Sequence, residues 1–523
     1  MSGKMTVRLA LALTAAFVTM NAGAATLPTQ APEVLACAAH PITLDETSKN
    51  ALQAFYQNVD FAPQWSPEKL QQLTAQLEHL ADDGLNPEYY EITALRQTNT
   101  GETQETCREW LASYAYLTAL QHLQFGATRT KARDPFWRAD SVETPASQLD
   151  MTHAVQGLQD IASAFQNARP QSAQYQALRR VYATVRHQPL QRWSEIPDGP
   201  MLRPGHDDVR VPALTRRLVA EGYLPANTPI KSTDTYFSPP LVTALREFQK
   251  RHHVQADGVL GQSTLNELNI TPQMRRDQLR ANLERWRWLS KELEPDLLLV
   301  DVAGAELFLY QEGQEKWRTR VQVGRAERPT PLLKSRLSHM TLNPTWSVPP
   351  TIFKKDKLPA IQQNPEYLAQ NRFSVLDMQG NTLDPTTIDW QNPGAVLLRQ
   401  DAGTHNPLGK VAIRFGNPFS VYLHDTPSQA LFEKLPRVFS SGCVRVENVS
   451  RLTELLLERS HQARKTEISG LQSSGKTRNV SLPGELPILI AYWTAGVNTQ
   501  GEPMFRPDLY QYDKRVINAL NAL

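Results

Sequence analysis

The sequence predicts a multi-domain protein with a helical N-terminal scaffold, a small three-helix module, and a mainly-β C-terminal domain that carries an inserted cap. Three observations predict it. Apolar residues recur at helical spacing from the N-terminal region to about residue 290. From Leu297 the pattern shifts to the alternation of strands. Between Pro349 and Pro393 that alternation breaks for about 45 residues, which is too long for a plain connection in a compact domain.

The first 25 residues read as an export signal. Lys4 and Arg8 precede an apolar run from Leu9 to Met20, and Ala22-Gly23-Ala24 offers small residues for cleavage. The run is short for a membrane span, although an uncleaved inner-membrane anchor is the alternative. Removing residues 1–25 leaves the basic and acidic counts equal at 53, so no field calls for nucleic acid as a partner. In an oxidising compartment three cysteines imply one pair and one free thiol. Cys37 and Cys107 share the N-terminal third and are assigned as the pair; Cys443 is left reactive. The alternative is three free thiols.

Residues 26–200 are expected to form the scaffold. Leu52, Phe55 and Tyr56, then Leu70, Leu73, Leu77 and Leu80, make helical stripes, and Asp83-Gly84-Leu85-Asn86-Pro87 breaks them. Tyr114 to Phe125 adds another apolar helix, and no acid–base or metal cluster stands out. In residues 205–272, Val211, Leu214 and Leu218 form one stripe and Leu241, Ala244, Leu245 and Phe248 another. Ser263 is expected to cap a third, short helix after the turn at Asp257-Gly258. His252 and His253 are adjacent and so do not share a helix face, which argues against a metal site. Residues 273–292 read as a linker helix whose Trp286 and Trp288 serve as core anchors. The β domain spans 293–497, with a hairpin at 297–310 and the cap insertion at about 351–392; a C-terminal extension follows from 498 to 523.

One segment carries chemistry: VYLHDTPSQALFEKLPRVFSSGCVRVEN. A strand ends at His424, and Cys443 follows 19 residues later within Ser441-Gly442-Cys443-Val444-Arg445. A thiol attacks carbonyls as thiolate, so a catalytic cysteine needs a base or a positive partner. Gly442 permits a sharp turn that aims backbone N–H groups at an oxyanion, and Arg445 adds a positive charge suited to a carboxylate. A cysteine and a histidine in one chain are weak indicators alone, since a buried cysteine is usually inert packing.

This segment resembles the signature of the L,D-transpeptidases, the YkuD-type fold. NPTWSVPPTI from Asn343 and HNPLGKVAIRF from His405 resemble family blocks that precede the histidine strand. The module sequence LVTALREFQKRHHVQADGVLGQSTLNELN resembles the three-helix peptidoglycan-binding module. The opening and the ending LIAYWTAGVNTQGEPMFRPDLYQYD resemble the large periplasmic branch, so the similarity covers nearly the whole chain. Two positions depart from the commoner pattern: Ser441 replaces a histidine, and Asp425 stands where glycine is usual.

The resemblance implies a cysteine acyltransferase in the periplasm of a Gram-negative bacterium, with no metal or organic cofactor. Cys443 is then the nucleophile and His424 the general base, oriented by a backbone carbonyl. Gly442 and Ser441 shape the oxyanion loop, and Arg445, Tyr422 and Trp346 contact substrate. The donor is a peptidoglycan tetrapeptide stem, the acceptor a second stem, the product a 3→3 crosslink, and carbapenems are expected inhibitors. Other wall-synthesis enzymes are expected partners. The rival readings are a wall-binding scaffold with an inactive catalytic domain, a stem-peptide hydrolase, and a transferase that attaches lipoproteins.

Overall fold

A computed structural model describes residues 26–97, 101–128, 135–143, 148–190, 193–364, 366–458, 470–482 and 486–523. The export signal expected at 1–25 lies outside them. Among the described residues no helix is long and apolar enough to cross a membrane.

The scaffold is built on helices at Glu46–Gln57, Pro67–His79, Glu102–Phe125, Ile161–Ala168 and Ala173–Val185. The stripes of the first four meet in one core that includes Leu52, Phe55, Leu73, Leu77, Trp110 and Phe165, while Tyr175, Leu178 and Tyr182 of the fifth lie in a separate core. Cys37 and Cys107 are joined by a disulfide with Cα atoms 6.0 Å apart, which ties the chain start to the long helix. Buried Asp83 collects the guanidinium groups of Arg169 and Arg179 and the Tyr175 hydroxyl, so this domain does hold a charged cluster, in a structural role.

The three-helix module comprises Val211–Ala220, Pro239–Arg251 and Gln262–Leu268. Its core begins earlier than expected: Ile196 and Leu202 belong to it, and Asn269 clamps the Ile196 backbone with two hydrogen bonds of 2.9 Å. Gly261 precedes the third helix and no side chain caps it, so Ser263 lies inside the helix rather than at its cap. The two histidines turn out to be docking residues. His252 is buried, stacks on Phe248 and Phe505, and bonds Arg275 at 2.8 Å. His253 reaches the Gly304 carbonyl in the β domain at 2.8 Å.

In the β domain, the strand Leu332–Leu342 is long enough to pair with Pro487–Ala491 near its start and with Val411–Phe415 toward its end. The pairing path runs from Val411–Phe415 through Leu423–His424, Val444–Val446, Gln314–Gly324, Glu306–Gln311 and Leu297–Asp301 to Pro487–Ala491, and so closes on itself. Alternate residues such as Leu298, Val300, Leu307, Leu309, Val321 and Val323 fill the interior. Leu297, Leu299, Leu489 and Trp493 face outward into a second core against the helices Ala173–Val185 and Pro272–Leu289.

Three boundaries differ from the sequence reading. The helix Pro272–Leu289 is no linker: Ala281 packs in the scaffold core, while Leu279, Leu283 and Trp286 pack on the sheet, with Trp286 stacked on Trp493. The residues after 498 are no loose extension, because Val516, Ile517 and Leu520 of the last helix complete the scaffold core. Phe136–Arg138, within the span expected to be helical scaffold, forms a strand parallel to Leu332–Leu342. Helical or strand period alone cannot show which neighbour an apolar face will meet.

The cap is a small α/β layer. It contains a π-turn at Phe353–Lys357, short helices at Leu358–Gln363 and Tyr367–Gln370, and the strand Phe373–Leu376. That strand pairs with Leu397–Gln400, which pairs with Trp346–Ser347, so the cap sheet reaches beyond the expected 351–392 on both sides. Ile361, Leu368, Phe373 and Val375 form a core with Trp346, Leu398 and Tyr422 at its base.

Candidate active site

Leu423–His424 and Val444–Val446 lie side by side and parallel, with Leu423 opposite Val444 and His424 opposite Arg445. Side chains alternate along a strand. Leu423 and Val444 therefore enter the core together, and both are fully buried. Tyr422, His424, Cys443 and Arg445 are sent to the other face, where all four line a cleft of about 550 Å³. The cap contributes Ile352, Asp356 and Lys357 to its wall, and Trp346 lies at the edge.

The turn before the strand is built around Ser440. Its hydroxyl donates to the Cys443 carbonyl at 2.5 Å and accepts the Gly442 N–H at 3.1 Å. Gly442 has φ 114°, a conformation that side chains disfavour. The Gly442 N–H, expected to face an oxyanion, is thus already used. The Cys443 N–H donates to no acceptor among the described residues and is the backbone donor left for that role.

Cys443 is half-buried, and its thiol lies 3.8 Å from the Ser420 carbonyl. Burial pushes the thiol above its ordinary value, against the Tyr422 backbone N–H and the charges of Arg414 and Arg445. His424 is buried, and its Nδ1 lies 2.5 Å from the Asp425 carbonyl, which orients the ring. Burial and the Arg445 charge push this imidazole down to about 3, against the pull of the Asp425 and Pro407 carbonyls. Both groups are neutral at rest, and no hydrogen bond joins them. Arg445 leans on Gln322 at 3.1 Å and has no carboxylate partner among the described residues.

The two departures each have a physical account. The Asp425 carboxylate accepts the Lys410 N–H at 2.8 Å and sits against Gly409, where any Cβ would come within 2.4 Å of it. It closes the loop that starts the neighbouring strand, while its carbonyl serves His424. Ser441 is held by two arginines that the sequence reading passed over: Arg328 Nη1 at 3.0 Å and Arg325 Nη2 at 3.4 Å from its Oγ. Tyr422 is packed beneath the Arg414 guanidinium, 4.0 Å from the ring centroid.

Residues 295–468 match the family model of the YkuD L,D-transpeptidase catalytic domain. The chain carries a YkuD-type L,D-transpeptidase domain. Residues 207–268 match a peptidoglycan-binding domain model, and 50–181 a scaffold domain model. A Haemophilus influenzae protein, named by inference as an L,D-transpeptidase, is 33% identical over 259 residues, which cover 48% of this chain and 50% of that protein. The chain thus spans about half the length of that curated relative. An L,D-transpeptidase structure from Stackebrandtia nassauensis is 13% identical, covering 58% of this chain and 97% of that one at a TM-score of 0.19. One from Mycobacterium smegmatis is also 13% identical, covering 38% and 58% at a TM-score of 0.17.

Within the L,D-transpeptidase domain, the fold brings together Cys443, His424, Gly442, Ser441, Arg445, Tyr422 and Trp346. The residues missed were Ser440, Arg325, Arg328, Asp356 and Lys357. A signal for the first arginines existed in GRAERPTP, where a glycine and two arginines leave a strand just before a proline-rich turn.

Proposed function

We propose that this chain is a periplasmic peptidoglycan transferase that forms 3→3 crosslinks through a thioester on Cys443. The observation that carries the reading is the placement of Cys443, His424 and Arg445 on one face of two parallel strands, in a cleft roofed by the cap. The matches to catalytic and peptidoglycan-binding domain models support the substrate class. The expected export signal and the Cys37–Cys107 disulfide support an oxidising compartment.

In this mechanism the stem tetrapeptide enters the cleft, and Arg445 takes one of its carboxylates. The Cys443 proton moves to His424 Nε2 as the sulfur attacks the carbonyl of the third residue. The Cys443 N–H stabilises the tetrahedral oxyanion. His424 returns the proton to the amine of the terminal D-alanine as the C–N bond breaks, leaving a thioester. A side-chain amine of a second stem attacks that thioester, His424 takes the amine proton, and the thiol is restored when the new amide forms. Because both catalytic groups are neutral at rest, proton transfer accompanies attack rather than preceding it.

The test has two parts. A carbapenem should add its mass to the wild type and not to Cys443→Ala. Equal adducts on both proteins would remove Cys443 as nucleophile. Purified tetrapeptide stems should then yield a crosslinked dimer by mass spectrometry; tripeptide alone would identify a hydrolase, and no product with either stems or sacculi would leave a wall-binding scaffold.

A further inference from the structure

The loop between Gly324 and Thr330 stands between the cap and the nucleophile turn and touches both. Toward the turn, Arg328 Nη1 donates to Ser441 Oγ at 3.0 Å. Toward the cap, the same guanidinium grips the Asp356 carboxylate with two bonds, of 2.6 and 2.7 Å. Asp356 belongs to the π-turn Phe353–Lys357. The next residue, Lys357, lies over the rings of Trp346, Tyr367 and Phe373, each at 5.5 Å, so the π-turn moves with the cap core.

The loop itself is stiff. Gly324 N–H donates to Thr330 Oγ1 at 2.8 Å, and Tyr510 from the C-terminal segment bridges its ends, accepting from Thr330 N–H at 3.1 Å and donating to the Gly324 carbonyl at 2.6 Å. A Cβ on Gly324 would stand 2.2 Å from the Arg328 carbonyl, so the loop folds this tightly because residue 324 is glycine. Ser441 in turn adjoins Ser440, whose hydroxyl fixes both Gly442 and the Cys443 carbonyl. The Asp356 side chain is 36% exposed and that of Arg328 15% exposed, so the pair has directional strength from its two-bond geometry yet remains open to water.

We propose that Arg328 is a positioning residue that couples cap closure to the nucleophile turn. When Asp356 docks, Arg328 holds Ser441 and the Cys443 N–H is aligned in the cleft; when the cap lifts, the guanidinium loses its anchor and the turn loosens. The thioester is then most reactive while the cap shields it, which favours amine over water as acceptor. The inference rests on the transpeptidase reading above.

A double-mutant cycle in the full chain tests it. Asp356→Asn and Ser441→Ala, each of which removes one hydrogen-bond partner of Arg328, are made singly and together. Two quantities are read: the rate of carbapenem adduct formation on Cys443, and the ratio of crosslinked dimer to tripeptide with purified stems. Each single variant should lower the ratio, and the pair should depart from the product of the single effects by about fivefold or more. In an Arg328→Lys background, which keeps the charge and loses the two-bond fork, that coupling should vanish. Additive effects, or coupling that persists in Arg328→Lys, would overturn the proposal while leaving the transpeptidase reading intact. A wild type that forms neither adduct nor dimer would remove both.

Discussion

At Cys443 the chemistry is governed by how little water reaches the thiol. Burial raises the thiol and lowers His424 to about 3, so near neutral pH neither group is charged. With His424 neutral and Cys443 protonated throughout this range, the reacting pair does not change with pH. Carbapenem acylation should therefore stay level from pH 6 to 8, with no inflection near the ordinary imidazole value. A steady rise of about tenfold per pH unit, in rates followed by intact mass, would instead show that thiolate forms before attack. His424→Ala should lower the neutral-pH rate by ~10²–10⁴. Ser440→Ala should act through geometry: it strands the Gly442 N–H and the Cys443 carbonyl beside a residue that is only 2% exposed. A loss of about 1–3 kcal/mol in denaturant unfolding and slower acylation are expected.

At the scale of elements, the cap is the piece that decides what happens after the thioester forms. It has its own apolar core, and its base, Trp346 and Tyr422, is also the cleft wall. Replacing residues 353–391 by a short Gly-Ser linker keeps the pairing of Trp346–Ser347 with Leu397–Gln400 and removes the strand between Thr382–Leu383 and Leu397–Gln400. Cys443 should still take up a carbapenem, and the ratio of dimer to tripeptide should fall because water reaches the acyl group. An unchanged ratio in a folded variant would show that the cap does not shield the intermediate. The extent of this element was legible only in part. Prolines and lost alternation marked the insertion, but its flanking strands, Trp346–Ser347 and Leu397–Gln400, alternate like any others and read as plain sheet.

At the scale of the whole molecule, the helix Pro272–Leu289 is fixed to the scaffold by charge and to the catalytic sheet by packing. Glu284 and Arg287 are both fully buried and paired at 2.6 Å. Glu284 also accepts from Thr128 N–H and Trp288 Nε1, and Arg287 donates to the Asp83 carbonyl. Glu284→Ala would leave the Arg287 charge buried without its partner, and a loss of about 3–5 kcal/mol is expected in chemical denaturation. Loss of stability confined to the catalytic domain would argue against this unifying role. The disulfide closes a loop of 70 residues within the scaffold. Cys37→Ser with Cys107→Ser should cost on the order of 2–4 kcal/mol there, seen as a lowered scaffold transition in calorimetry with carbapenem acylation of Cys443 retained.

What the sequence determined by itself is what short-range periodicity and turn chemistry can encode. The change of period near residue 297 marks where helix gives way to sheet. Alternation through Tyr422-Leu423-His424 and Cys443-Val444-Arg445 sorts polar from apolar faces before any partner is known. Tertiary structure alone decided the rest. The helix at 272–289 reads as a linker because its arginines and its one glutamate look solvent-facing; Arg275, Glu284, Arg285 and Arg287 are buried, and distant residues, such as Asp513 for Arg285, arrive to pair with them. Arg328 and Asp356 look like ordinary surface charges 28 residues apart, and only the folded cap sets them against each other. Such pairings depend on the meeting of segments remote in sequence, where local spacing carries no signal.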